Sequence, residues 1–279
     1  MEKTNKVFVL GNGESRKGID LDALKQKGPV YGCNALYRDW APDALVCVDG
    51  GMMHEVYESG YASKNKCYFL SWSRLPGEMY EMIVEGTMWD EQGFTITNNK
   101  GGRKEFVLNG TDPNQMQRLF EHHVKLGSDK KTIEELLSKH HRWITWVDEN
   151  DEVHIIPEGY SGWSAGPIAV RLALQNHDPL DVFLIGFDLG SKTDTINNLY
   201  KGTDNYLSDG AAVTPATNWI VQHKQNFLDY PETRFWKVNS APLGTDDTCV
   251  LVNEWNDIEN LQYTEQESLD LCIDFGWMM

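Results

Sequence analysis

Residues 7–15 read VFVLGNGES: four apolar, β-favouring residues, then Gly11, Asn12, Gly13, Glu14 and Ser15, with the polar stretch RKGIDLDALKQ behind them. A short apolar run broken by glycines and followed by a helical pattern predicts the first strand–turn–helix of a nucleotide-binding α/β domain. Gly11 and Gly13 carry no Cβ, so the backbone there can turn tightly and approach a ligand closely. Asn12 and Ser15 add hydrogen-bonding side chains at the same mouth, near a helix N-terminus that favours anions. The third glycine falls at Gly18, out of step with G-x-G-x-x-G, and no G-x-x-x-x-G-K-[ST] phosphate loop occurs. Taken alone, the turn fits nucleotide binding and an ordinary strand-to-helix connection equally.

The same rhythm continues outward. IDLDALKQ predicts a short helix, 29–33 a short strand, ALVCVD (44–49) a buried parallel strand, 52–57 a helix and 66–70 a fourth strand. After a break, PIAVRLALQN predicts a helix, DVFLIGFDL (181–189) the strongest strand, 216–228 a helix and TRFWKV (233–238) another strand. Alternating strands and helices imply an α/β, Rossmann-like fold with a mostly parallel sheet. Strands 7–10, 44–48 and 182–186 are expected as neighbours at its centre. The implied organisation is a nucleotide-binding core of 1–72 and 158–243, an insertion or lid over 73–157, and an acidic extension over 244–279 packed on the outside. The insertion is expected to hold helices at 113–125 and 130–141. RWITWV and EVHIIP, joined by DEND, read as a β-hairpin within it. Residues 190–212 form a long polar loop of the kind that tends to be functional.

Composition bounds the chemistry. The 279 residues are 41% hydrophobic and 11% aromatic, as in a globular protein. Ten tryptophans suit either a binding surface or the sealing of an insertion onto a sheet. A formal charge of −17, from 42 acidic and 25 basic residues, argues against a duplex nucleic-acid partner. It leaves room for a small anionic ligand held by a locally basic pocket or backbone N–H groups. Cys33, Cys47, Cys67, Cys249 and Cys272 lack C-x-x-C spacing, which suggests reduced thiols and a cytoplasmic location. The start MEKTNK has no apolar core and no run approaches the roughly 18 apolar residues of a membrane span, so no membrane partner is expected. A homo-oligomer stays open.

Several constellations bear on a site. YSGWSAG (160–166) is a second glycine loop before a helix, with Pro167 suited to a first turn. In an open parallel sheet, Asn12, Ser15, Asn34, Ser164, Gly166 and Asp188 would all face the carboxyl edge, where ligands bind. Asp49 and Asp188 each end a strand, where a carboxylate can hold a ribose hydroxyl, act as base, or cap a turn. The pairs His122–His123 and His140–His141 lack the i, i+4 metal spacing and read as surface residues. His223 is a candidate general base on its near-neutral reference pKa, against a structural role in its helix. VCVDGG carries a single Asp rather than a chelating D-x-D pair, and neither G-x-S-x-G nor H-E-x-x-H occurs. No metal site is expected.

GNGESRKGIDLDAL, YGCNALY, PDALVCVD, YSGWSAG with AVRLAL, and DVFLIGFDL, in that order, resemble a superfamily containing the bacterial sialyltransferases of glycosyltransferase family 42. The pattern is also similar to the motility accessory factors and 6-hydroxymethylpterin diphosphokinases, where P-D-x-x-V-x-V-D and a late G-x-D-L strand are typical. The matched blocks lie in the α/β core and leave the middle segment and tail uncovered. The sialyltransferase resemblance implies a metal-independent glycosyltransferase with no cofactor beyond a nucleotide-activated sugar. It implies nucleotide contacts from Asn12, Ser15 and Asn34, and donor-phosphate contacts from Ser164 and Gly166, although Ala165 departs from that family's T-S-G loop. Tyr200 and Tyr206 correspond to the tyrosines that stabilise the departing phosphate there. That family's catalytic His would fall near Thr214, which leaves His223 or Asp188 as the base. The alternatives are a Mg²⁺-dependent pterin or nucleotide diphosphokinase and a non-catalytic nucleotide-binding module. Segments of this kind are also similar to tailed-phage proteins, and the acceptor is not implied.

Overall fold

The computed structural model describes residues 5–70, 72–75, 95–98, 104–107, 145–148, 150–160, 162–191, 193–241 and 251–275. Its strands are β1 (Lys6–Leu10), β2 (Val30–Cys33), β3 (Ala44–Cys47), β4 (Cys67–Phe69), β5 (Trp72–Leu75), β6 (Thr95–Asn98), β7 (Lys104–Val107), β8 (Thr145–Asp148), β9 (Val153–Ile155), β10 (Asp181–Ile185), β11 (Arg234–Asn239) and β12 (Leu261–Glu265). The described α-helices are α1 (Leu21–Lys27), α2 (Gly50–Glu58), α3 (Ala165–His177), α4 (Thr217–Asp229) and α5 (Leu269–Phe275). Two compact units result: Met1–Val46 with Pro157–Met279, and Cys47–Ile156. The helices expected at 113–125 and 130–141, and both histidine pairs, lie outside the described residues.

The first unit is an α/β fold built on parallel strands in the order β12-β11-β10-β1-β2-β3. Every residue of β2, β3 and β10 is buried, which explains their continuous apolar runs. Phe8, Phe183 and Trp236 stack across three strands, with ring centroids 5.2 and 5.9 Å apart. Helix α3 packs on β1 and β2 and against α4. Arg171 of α3 clamps that joint, donating to Asn226 at 2.7 Å and to Asp229 at 2.5 Å. As expected, β1 and β10 are central neighbours, but β2 stands between β1 and β3.

Residues 261–275 do more than cover the outside. β12 extends the sheet beside β11, with Phe235 opposite Leu261 and Asn239 opposite Glu265. Leu269, Cys272 and Ile273 of α5 are buried, and Lys27 of α1 reaches Asp270 at 2.9 Å.

In the second unit β4 and β9 pair in parallel, and a separate sheet has the order β5-β8-β7-β6. The expected β8–β9 hairpin is therefore incorrect. Between them Asp151 is buried and accepts from the Tyr57 hydroxyl at 2.7 Å. The Glu152 backbone then bridges Ala62 and Cys67, which sets β9 beside β4. Side-chain capture of the acidic turn overrides the local hairpin signal. Among the described residues, no helix is long and apolar enough to cross a membrane.

The chain leaves β1 toward β2 and β3 on one side, then returns as β10 on the other. The strand order thus reverses between β1 and β10, and the carboxyl ends at such a reversal form a crevice. Here Gly11 N–H donates to Ile185 O at 2.7 Å and Gly13 N–H to Gly186 O at 2.9 Å. A Cβ on Gly11 would be driven into the Gly186 carbonyl, while Gly186 itself has φ +76° and faces Gly11 O. Gly11→Ala should accordingly cost about 1–3 kcal/mol. A chemical-denaturation midpoint equal to that of the unaltered chain would disprove this close approach.

Candidate functional site

The loop after β1 is locked before it can flex. Ser15 donates to Asp188 through both its backbone N–H, at 3.0 Å, and its hydroxyl. Asp188, at 6% exposure, thus holds the loop against the exit of β10. A Cβ at Gly13 would stand only 2.5 Å from that carboxylate. The 190–212 loop docks on the same turn: Leu199 N–H donates to Asn12 O, and Glu14 N–H to Asn197 Oδ1, each at 2.8 Å. Lys201 pairs with Glu14 at 2.6 Å.

That docking brings Tyr200 and Tyr206 over the turn, with ring centroids 5.7 Å apart. Asn12 Nδ2 donates to Cys33 O at 3.1 Å and to Tyr206 Oη at 3.0 Å. Ala35 N–H also donates to Tyr206 Oη, at 3.3 Å. The neighbouring Asn34 adopts φ 54°, a left-handed conformation that asparagine tolerates better than most side chains. Arg16 Nη2 donates to Tyr200 Oη at 3.1 Å. Arg38 lies 6.0 Å from both tyrosine ring centroids and donates to Thr203 and to Asp204 O. Burial pushes the Tyr200 phenol up to about 12, with Arg16 opposing and nearby Asp39 reinforcing the shift. The hydroxyl is therefore protonated at neutral pH. The structure thus brings Gly11, Asn12, Gly13, Ser15, Asn34, Asp188, Tyr200 and Tyr206 into one cluster.

The second loop reaches the strand reversal from the other side of Phe187. A Cβ on Gly166 would lie 2.6 Å from the Phe187 ring, and one on Gly11 would lie 3.3 Å from it. Ser164 N–H donates to Gln222 Oε1, and Ser164 Oγ accepts from Trp219 Nε1, each at 2.9 Å. The Ser164 hydroxyl oxygen is thus engaged by α4. Asp49 belongs to the second unit, where it precedes α2 without a side-chain cap.

His223 goes elsewhere. Its ring is fully buried between Phe187, at 4.9 Å, Phe227 and Trp255, and neither nitrogen has a hydrogen-bond partner. Phe187 touches both His223 and the glycine turns. The structure makes it part of an aromatic core and does not bring it to the loop cluster.

No protein family, curated protein or solved structure matches the chain. Sequence reading missed Gly186, Phe187, Arg16 and Arg38. Gly186 had a signal, since a glycine closing the strongest strand marks a close backbone approach. Arg16 sat beside Ser15 in the decisive loop, but nothing local distinguished it from a solvated charge.

Desolvation, reinforced by the Lys237 charge, pushes the His223 imidazole down to about 3. Unfolded, it titrates near 6.5. Between those values the unfolded chain binds a proton that the folded chain excludes. This contribution to stability is therefore complete above about pH 6.5 and declines as pH falls toward 3, by at most about 1.4 kcal/mol per pH unit. Denaturation curves from pH 7 to pH 4 should show that slope, and His223→Leu should flatten it. An equal slope in the variant would show that His223 is not excluded from protonation.

Proposed function

We propose that the chain is a metal-independent glycosyltransferase that uses a nucleotide-activated sugar. The observation carrying this reading is the convergence of Asn12, Asn34, Tyr200 and Tyr206 on the glycine turn at the strand-order reversal. Among the described residues, Asn12 Oδ1 and Asn34 Oδ1 are buried there without hydrogen-bond partners. Buried carbonyl oxygens of this kind are costly unless a donor satisfies them, and ribose hydroxyls or a base amine would do so. Two adjacent phenols and nearby guanidinium groups suit the negative charge that grows on a departing phosphate. They supply that stabilisation from groups already fixed in place, while the sugar gains oxocarbenium character.

A binding module without turnover is the second reading. The two base candidates favour it: Ser15 occupies the Asp188 carboxylate, and His223 is fully buried among Phe187, Phe227 and Trp255. A Mg²⁺-dependent diphosphokinase differs from both in its response to chelation.

Thermal unfolding with CMP, UDP, GDP and ATP tests nucleotide binding. A cognate nucleotide at a hundredfold excess over its Kd should stabilise the fold by about 2.7 kcal/mol. Consumption of the corresponding nucleotide sugar should persist in EDTA and fall about 10²–10³-fold in Tyr206→Phe. Binding without consumption selects the module, Mg²⁺-dependent consumption of ATP that stops in EDTA selects the diphosphokinase, and failure of all four nucleotides to bind refutes the nucleotide site.

A further inference from the structure

Arg16 is 5% exposed, yet its guanidinium has one hydrogen-bond partner among the described residues, the neutral hydroxyl of Tyr200. Among the described residues, buried Nη1 has no acceptor and no carboxylate forms an ion pair with the guanidinium. Asp188 is engaged by Ser15, and Asp39 acts on the Tyr200 hydroxyl that Arg16 also meets. A buried, unpaired cation is among the most costly features a fold can carry, and a tyrosine ring 5.9 Å away offsets only part of that cost.

Its position is equally specific. The side chain leaves the turn at Glu14–Arg16, and its Cβ would sit 3.2 Å from a Cβ on Gly186, at the carboxyl ends of β1 and β10. Tyr200 and Tyr206 connect it to Asn12, Asn12 Nδ2 donates on to Cys33 O, and the Tyr206 hydroxyl also accepts from Ala35 N–H. The cluster therefore combines an unsatisfied cationic donor with two unsatisfied neutral acceptors, Asn12 Oδ1 and Asn34 Oδ1.

We infer that Arg16 is an anion anchor whose Nη1 takes a phosphoryl oxygen of the ligand, while Asn12 and Asn34 take its hydroxyl or amine donors. This deepens the nucleotide-site reading and rests on it for the ligand, but the anion site is testable separately. One phosphoryl oxygen gives Nη1 its acceptor and sets a negative charge against the guanidinium in one contact. Inorganic phosphate shares that chemistry, whereas a nucleoside lacks it.

The test compares the unaltered chain with Arg16→Met and Arg16→Lys by calorimetric titration of CMP, UDP, GDP and ATP, their nucleosides and inorganic phosphate. Arg16→Met should weaken the nucleotide that binds by at least about tenfold, leave its nucleoside unchanged, and melt no lower than the unaltered chain. Arg16→Lys, which keeps the charge, should retain part of the affinity. Equal nucleotide affinity in Arg16→Met overturns the anchor while leaving the nucleotide site intact. So does a clear loss of thermal stability in that variant, because it would mean the guanidinium is already compensated within the fold. If no nucleotide binds, the functional reading falls. Arg16-dependent binding of inorganic phosphate then still upholds the anchor, and phosphate binding that is absent or independent of Arg16 overturns it.

Discussion

The close approach of Gly11 to Gly186 is the constraint on which the site depends. Neither position has room for a side chain, so the backbone turns after β1 and β10 nest directly, with Gly11 N–H on Ile185 O and Gly13 N–H on Gly186 O. Asp188 can then reach Ser15, which fixes the loop and sends Arg16 inward. Phe187, the residue between them, turns back toward Gly166 and His223. One backbone contact thus sorts three successive residues into three roles. Gly186 makes the turn, Phe187 forms a wall and Asp188 acts as a latch.

The parallel α/β core was legible because burial on both faces demands uninterrupted apolar runs, and VFVL, ALVC and DVFLI are such runs. The two glycine turns and the tyrosine-bearing loop were legible for a similar reason: turn chemistry is local. What failed was long-range. The DEND turn looked like a hairpin until Asp151 was captured by Tyr57, ninety-four residues earlier in the chain. His223 was singled out on intrinsic pKa, but tertiary packing removed both its solvent and its charged form. Arg16 was invisible because the sequence does not record whether a cation will find a carboxylate.

The cluster shows a division between parts that stabilise and parts that do not. Asp188 satisfies Ser15, Gln222 and Trp219 satisfy Ser164, and the two sets hold the loops in place. Asn12, Asn34 and Arg16 leave polar atoms unsatisfied in the same few ångströms of structure. Folds tolerate such deficits where a binding partner makes them good, and the rigid neighbours prevent the deficit from being relieved by collapse. Preorganisation and local instability are here two descriptions of one arrangement.

Charge follows the same division. At −17 overall, the surface repels an approaching anion, yet that repulsion acts over distances that physiological salt screens within about 8 Å. Arg16 and Arg38 lie inside that range beside Tyr200, and Arg16 is also buried away from bulk water. Salt therefore affects the two stages oppositely: it eases the approach of an anionic ligand while weakening a buried contact far less. An acidic protein with a sequestered cation at its site can exclude polyanions from its surface and still hold one small phosphate-bearing ligand.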